Sequence, residues 1–150
     1  MSFDAKKLKE QLNKQGVISF VPNGNSMWPI LKNAKQSVII IKKESRLQPL
    51  DVALYSREDG TAVLHRVIEV KDTGYLMCGD GQLSCELVCE ENVFGVMQSF
   101  TSKNALVPVT DEKYINKVKK WYASPNRRRR KIINHQRLQK IKNIFSRKKK

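Results

Sequence analysis

The 150-residue chain is short of most features that declare a function outright. It has two histidines, His65 and His135, and three cysteines. It has no apolar run near the roughly 18 residues a membrane-spanning helix needs. Each shortage excludes something. Cys78, Cys85 and Cys89 are odd in number and fit no common zinc spacing, which argues against a disulfide framework and a metal site. They suit a reduced, cytoplasmic chain, and no cofactor is expected. Residues 1–7 contain no apolar signal core, so neither export by a standard signal nor a transmembrane anchor is expected. Acid is missing from one end altogether. Residues 113–150 hold 16 Lys/Arg and no Asp or Glu, whereas residues 1–112 hold 13 Lys/Arg against 14 Asp/Glu. A near-neutral body thus carries a strongly cationic tail, which is either a solvated, disordered extension or the contact to an anionic partner.

What is present reads as a helix, a run of strands and a basic tail. Residues 2–15 predict a short helix, with Ser2 as cap, Asp4 in its first turn, Ala5, Leu8 and Leu12 on one face, and Gly16 as stop. From Val17 the apolar period shortens. Residues 17–21, 37–42, 51–56, 61–70, 75–78 and 93–100 read as strands separated by tight turns such as Glu58-Asp59-Gly60 and Asp72-Thr73-Gly74. The expected class is mainly β, a partly closed barrel. After Pro108, two basic amphipathic helices are predicted, broken at Pro125. Tyr114, Ile115, Val118, Trp121 and Tyr122 lie on the face of the first, and Leu138, Ile141 and Phe145 on the second. The chain divides into an N-terminal helix (1–16), a β domain (17–110) and a basic helical tail (111–150).

Chemistry centres on three short stretches. Gly24-Asn25-Ser26-Met27-Trp28-Pro29 is a tight turn that exposes a serine. A serine hydroxyl needs a base to become nucleophilic, and turn amides of Gly24, Asn25 and Ser26 suit a developing oxyanion. Leu64-His65-Arg66-Val67-Ile68 sets His65 and Arg66 on a strand facing opposite ways, so that His65 faces the serine while Arg66 anchors behind. Met77-Cys78-Gly79-Asp80-Gly81-Gln82 offers Asp80 in a glycine-flanked turn to orient the imidazole. A base with the unperturbed histidine pKa of about 6.5 would lose activity in mild acid. Met27 and Met77 read as core or pocket lining, and His135 as a solvated surface residue.

Ser26-Met27-Trp28-Pro29, the strand carrying Asp51, His65-Arg66-Val67-Ile68 and Gly79-Asp80 occur in the order found in the type I signal peptidases and LexA-like self-cleaving repressors. Across residues 24–100 the chain resembles the archaeal and endoplasmic-reticulum branch, which uses histidine as base, and small soluble bacterial members of that superfamily. The resemblance implies a coiled β-fold, Ser26 as nucleophile, His65 as general base and Asp80 as acid, with Glu86 as a possible second acid. It implies a peptide groove beside Met27 and Trp28, and structural roles for Asp51 and Gly95. The chain departs from the pattern at Leu50, where a glycine is usual before Asp51, at Gly81-Gln82, where paired asparagines are usual, at the bulky Trp28, and in having no membrane anchor. The expected function is a serine endopeptidase cleaving a leader- or signal-like peptide in the cytoplasm. The alternative is an inactive peptidase-fold module that binds membrane or nucleic acid through the tail. Trp121, Tyr122, Ile141 and Phe145 favour peripheral attachment of residues 113–150 to an anionic membrane's inner face over nucleic acid.

Overall fold

The computed structural model describes residues 3–147. Elements run β1 (Phe3–Asp4), α1 (Ala5–Gln15), β2 (Val17–Phe20), β3 (Val38–Lys42), β4 (Val52–Ser56), β5 (Thr61–Lys71), β6 (Gly74–Cys78), β7 (Cys85–Cys89), β8 (Val93–Ser102), β9 (Ala105–Pro108), α2 (Glu112–Tyr122) and α3 (Pro125–Arg147). Ser2, the expected helix cap, lies outside the described residues, as do the last three lysines. Asp4 caps α1, accepting from the Lys7 amide, and Gly16 ends it in the left-handed region at φ 75°.

The class is mainly β, as the alternating runs require. All strand pairs are antiparallel, in the order β2-β3-β8-β4-β5-β6-β7, with β1 added to β5 and β9 to β8. The sheet does not close, because β2 and β7 are its free ends. Strands β1, β7 and β9 were not anticipated: β1 takes Phe3 and Asp4 from the start of the expected helix by pairing with β5, and β7 and β9 lie at a margin of the sheet and expose apolar residues, Leu87 and Leu106, which blurs the period.

Two cores lie on opposite faces. One gathers Leu8 and Leu12 of α1, Ile40, Leu54 and Met97 of the sheet, and Tyr114, Val118 and Trp121 of α2. The other gathers Ala53, Tyr55, Val67, Tyr75 and Met77. Gly95 is required where α1 crosses β8: a Cβ there would stand 2.6 Å from Ile40 Cγ2 and 3.1 Å from Leu12 Cδ2. The helical tail packs on the body through α2 and the first part of α3. Its first helix buries Tyr114, Val118 and Trp121, and its second buries Ile132. Pro125 begins α3, the helix position where its missing amide hydrogen costs nothing.

Candidate functional site

Strand β5 supplies the central side chains because its two faces alternate. Pairing with β4 sets Ala53 opposite His65 and Val52 opposite Arg66, so Tyr55, two residues on from Ala53, shares a face with His65. The buried Tyr55 hydroxyl lies 2.9 Å from His65 Nδ1 and 2.5 Å from Glu86 Oε1. Arg57 completes the row with bonds of 2.6 and 3.2 Å to Glu86. Burial favours the Glu86 acid form, but the bonds from Arg57 and Tyr55 outweigh it and hold the carboxyl below its ordinary range. Burial and the neighbouring Glu86 charge push the Tyr55 hydroxyl upward, so it keeps its proton.

These facts fix the tautomer. A carboxylate only accepts, so the single Tyr55 proton goes to Glu86. The Tyr55 oxygen then accepts from His65 Nδ1–H, which leaves the Nε2 lone pair free. Nε2 makes no hydrogen bond among the described residues. Burial lowers the His65 pKa to about 4, the Glu86 charge only partly opposing it. His65 is therefore neutral at physiological pH, and its 3.6 Å approach to Glu86 Oε1 is no ion pair.

Ser26 sits on the turn after β2. Gly24, at φ 91°, admits the reversal, and its amide donates to Asn33 Oδ1 at 3.0 Å. The Trp28 amide closes the turn on the Asn25 carbonyl at 3.1 Å. Ser26, Gly24, Met27, Leu64, His65 and Arg57 line one cleft of about 340 Å³. Ser26 and His65 are brought to the same cleft without a hydrogen bond between them in this state. Along the cleft wall, Ala62 pairs with Phe3 of β1 and Arg66 with Cys78 of β6. The register leaves the intervening backbone of Leu64 without a strand partner on that side among the described residues. Asn25 and Trp28 do not line this cleft.

Compared with protein-family models and with curated proteins, the chain matches none.

Two expected roles differ from the observed placement. Asp80 does not reach His65: Arg66 Nε and Nη2 grip its two oxygens at 2.7 Å each, with both side chains fully buried. Burial works against the Arg66 charge, and the Asp80 carboxylate more than restores it. Tyr122 adds a 2.6 Å bond to Asp80 Oδ1, and Trp121 Nε1 donates to its backbone carbonyl at 2.9 Å. The strand alternation that turns Arg66 away from His65 carries Asp80 with it. Glu86, through Tyr55, is the acid at the histidine. Trp28, expected beside a substrate, lies instead under the C-terminal helices, edge-on to Trp121 and stacked on His135 with centroids 3.9 Å apart. The expectation of a solvated His135 is corrected by the same contact. That residue is half-buried, and desolvation lowers its pKa.

Close approach explains the glycines around Asp80. The Gly81 amide donates to the Ser26 carbonyl at 2.7 Å. A Cβ on Gly79 would stand 2.5 Å from that same oxygen, and one on Gly81 2.6 Å from the Asn25 carbonyl. Arg128 of α3 braces the turn from outside, with Nη2 2.7 Å from the Gln82 carbonyl and 3.1 Å from that of Gly79. Tyr55, Arg57 and Arg128 were not singled out from sequence. The only signal for Tyr55 was the β4–β5 register, which needs the hairpin to be paired first. Among the described residues no group of three or more His, Cys, Asp or Glu converges as metal ligands do.

Proposed function

We propose that the chain is a serine endopeptidase of the signal-peptidase type, acting on leader- or signal-like peptides in extended conformation. The observation that carries this reading is the tautomer set by Glu86 and Tyr55, which leaves a neutral, unprotonated His65 Nε2 in a cleft shared with Ser26. The antiparallel sheet, with a serine turn resting on the Gly79–Gly81 turn, supports the same fold assignment. The unpaired backbone of Leu64 supports docking of a peptide strand.

On this reading a substrate strand pairs with Leu64 and presents its carbonyl carbon to Ser26. His65 Nε2 takes the Ser26 hydroxyl proton as Oγ bonds to that carbon. The Ser26 amide and its turn neighbours hold the oxyanion. The tetrahedral species then collapses, breaking the C–N bond, and His65 Nε2–H gives its proton to the leaving amine. Water, deprotonated by the same nitrogen, releases the acyl group from Ser26. Tyr55 and Glu86 steady the imidazolium formed between these steps, the work an aspartate does in a serine-protease triad.

The test is labelling of the intact protein with a fluorophosphonate, read by mass. One adduct on Ser26, absent from Ser26→Ala and slowed by roughly 10⁴-fold in His65→Ala, is expected. An adduct elsewhere, or equal labelling of Ser26 in His65→Ala, overturns the assignment.

A further inference from the structure

The outward face of α3 combines two chemistries along its length. At about 100° per residue, Arg128, Ile132 and His135 form the row turned to the body, where Arg128 holds the Gly79–Gln82 turn and Ile132 is fully buried. The apolar residues of the second half, Leu138, Ile141, Ile144 and Phe145, are centred roughly 140° away from that row. They are 49–65 % exposed. They are therefore not a continuation of the core contact. Four cations that precede the stripe, Arg127, Arg130, Lys131 and Arg137, share its side of the helix and are exposed. No cation of α3 enters an ion pair among the described residues. One face is thus basic near the body and apolar beyond it.

Four large apolar side chains on one stripe, with no counter-charge nearby, need a partner that is both anionic and apolar. A second copy brings 16 further cations from residues 113–150 and no acid, so like charge opposes pairing tail to tail. A nucleic-acid backbone satisfies the cations and leaves the stripe in water. Trp121 and Tyr122, two of the aromatics expected at such a surface, are held inside the body by Asp80. The contact accordingly falls to α3 alone. Among the described residues no helix is long and apolar enough to cross a bilayer, and an exposed apolar stripe beside cations fits the in-plane mode. We infer that α3 lies on an anionic lipid surface, with the proximal arginines among the headgroups and the Leu138–Phe145 stripe below them.

This inference stands whether or not Ser26 is a nucleophile, and its test uses no peptidase activity. The full chain is floated with phosphatidylcholine vesicles made with and without phosphatidylglycerol, at low and high salt. Flotation is expected only with the anionic lipid and weakens as salt rises. Ile141→Ser/Phe145→Ser and Arg130→Glu/Arg137→Glu lie on the exposed face, so their thermal melts should match the parent's. Each should lower the partition coefficient by roughly tenfold or more. Absence of anionic-dependent flotation overturns the inference. So does undiminished flotation of Ile141→Ser/Phe145→Ser, since the stripe would then do nothing. Tight binding of an oligonucleotide duplex by the parent and by Ile141→Ser/Phe145→Ser alike, without flotation, would assign the face to nucleic acid instead.

Discussion

The Tyr55 hydroxyl lies 2.9 Å from Nδ1 of His65, and this contact decides which imidazole nitrogen is free to act as a base. Because Glu86 consumes the hydroxyl proton, Tyr55 is an acceptor toward His65. Tyr55→Phe removes that acceptor and leaves the tautomer unset. Ser26 labelling should slow by at least about tenfold, short of the loss expected for His65→Ala. Glu86→Gln should do the same by reversing the chain: the amide donates to Tyr55, whose proton then turns to Nδ1. Imidazole ¹⁵N shifts read the change directly, with Nδ1 protonated in the parent and Nε2 protonated in Glu86→Gln. An Nε2-protonated parent would remove the basis of the mechanism.

Burial moves the pH dependence away from the ordinary histidine range. With the His65 pKa lowered to about 4, Ser26 labelling should stay level from pH 8 to about 5 and fall with a midpoint near 4. The sequence alone suggested a midpoint near 6.5, the value of a solvated imidazole. A midpoint there would mean that His65 meets water far more than its position on β5 implies.

The same shift predicts a loss of stability in acid. The unfolded chain takes up a proton on His65 near pH 6.5, whereas the folded chain resists until about 4. Stability from this group is therefore complete above pH 6.5 and declines as pH falls toward 4, by about 3 kcal/mol in all. Glu86, whose folded pKa is depressed, adds a loss of the same sign at lower pH. The urea midpoint should drop between pH 7.5 and 4.5, and the drop should shrink in His65→Gln. An unchanged slope in that variant would place the acid sensitivity elsewhere.

Much of this arrangement was legible because local signals were strong. Asp4, Gly16 and the Leu8/Leu12 spacing mark α1, and Pro125 marks the junction of α2 and α3. The serine turn and the histidine strand were found from short motifs, and both open on one cleft. What stayed hidden depends on contacts distant in sequence. Asp80 and Glu86 are both acids near β6, and only the register sends one to Arg66 and the other to Tyr55. Trp28 reads as lining of a peptide groove until α3 supplies His135 to cover it. Leu50 looks like a plain departure from a glycine pattern. Its φ of 76° lies in the left-handed region that glycine favours, a backbone form the side chain gives no hint of.

Asp80 should matter to stability more than to proton transfer. It is enclosed by Arg66, Tyr122 and the Trp121 contact, so Asp80→Asn leaves a buried guanidinium without its counter-charge. A loss of about 3–5 kcal/mol is expected. In the fraction that remains folded at low temperature, the pH midpoint for Ser26 labelling should be that of the parent. A normal melt with a displaced pH midpoint would return Asp80 to the histidine.

Gly79 tests whether the Ser26 turn depends on the turn beneath it. In Gly79→Ala the new methyl meets the Ser26 carbonyl at 2.5 Å and Gln82 Oε1 at 2.9 Å. The glutamine side chain can swing aside. The Ser26 carbonyl cannot, since it is backbone already held by the Gly81 amide. Relief must come from movement of the Ser26 turn, at a cost of about 1–3 kcal/mol. Ser26 labelling should fall along with stability. Gly60→Ala supplies the comparison: its methyl meets nothing within 4 Å, and only the φ of 81° is strained. That variant should lose about 1 kcal/mol or somewhat more while labelling at the parent rate. Equal labelling of Gly79→Ala and Gly60→Ala would show that the two turns touch without one positioning the other.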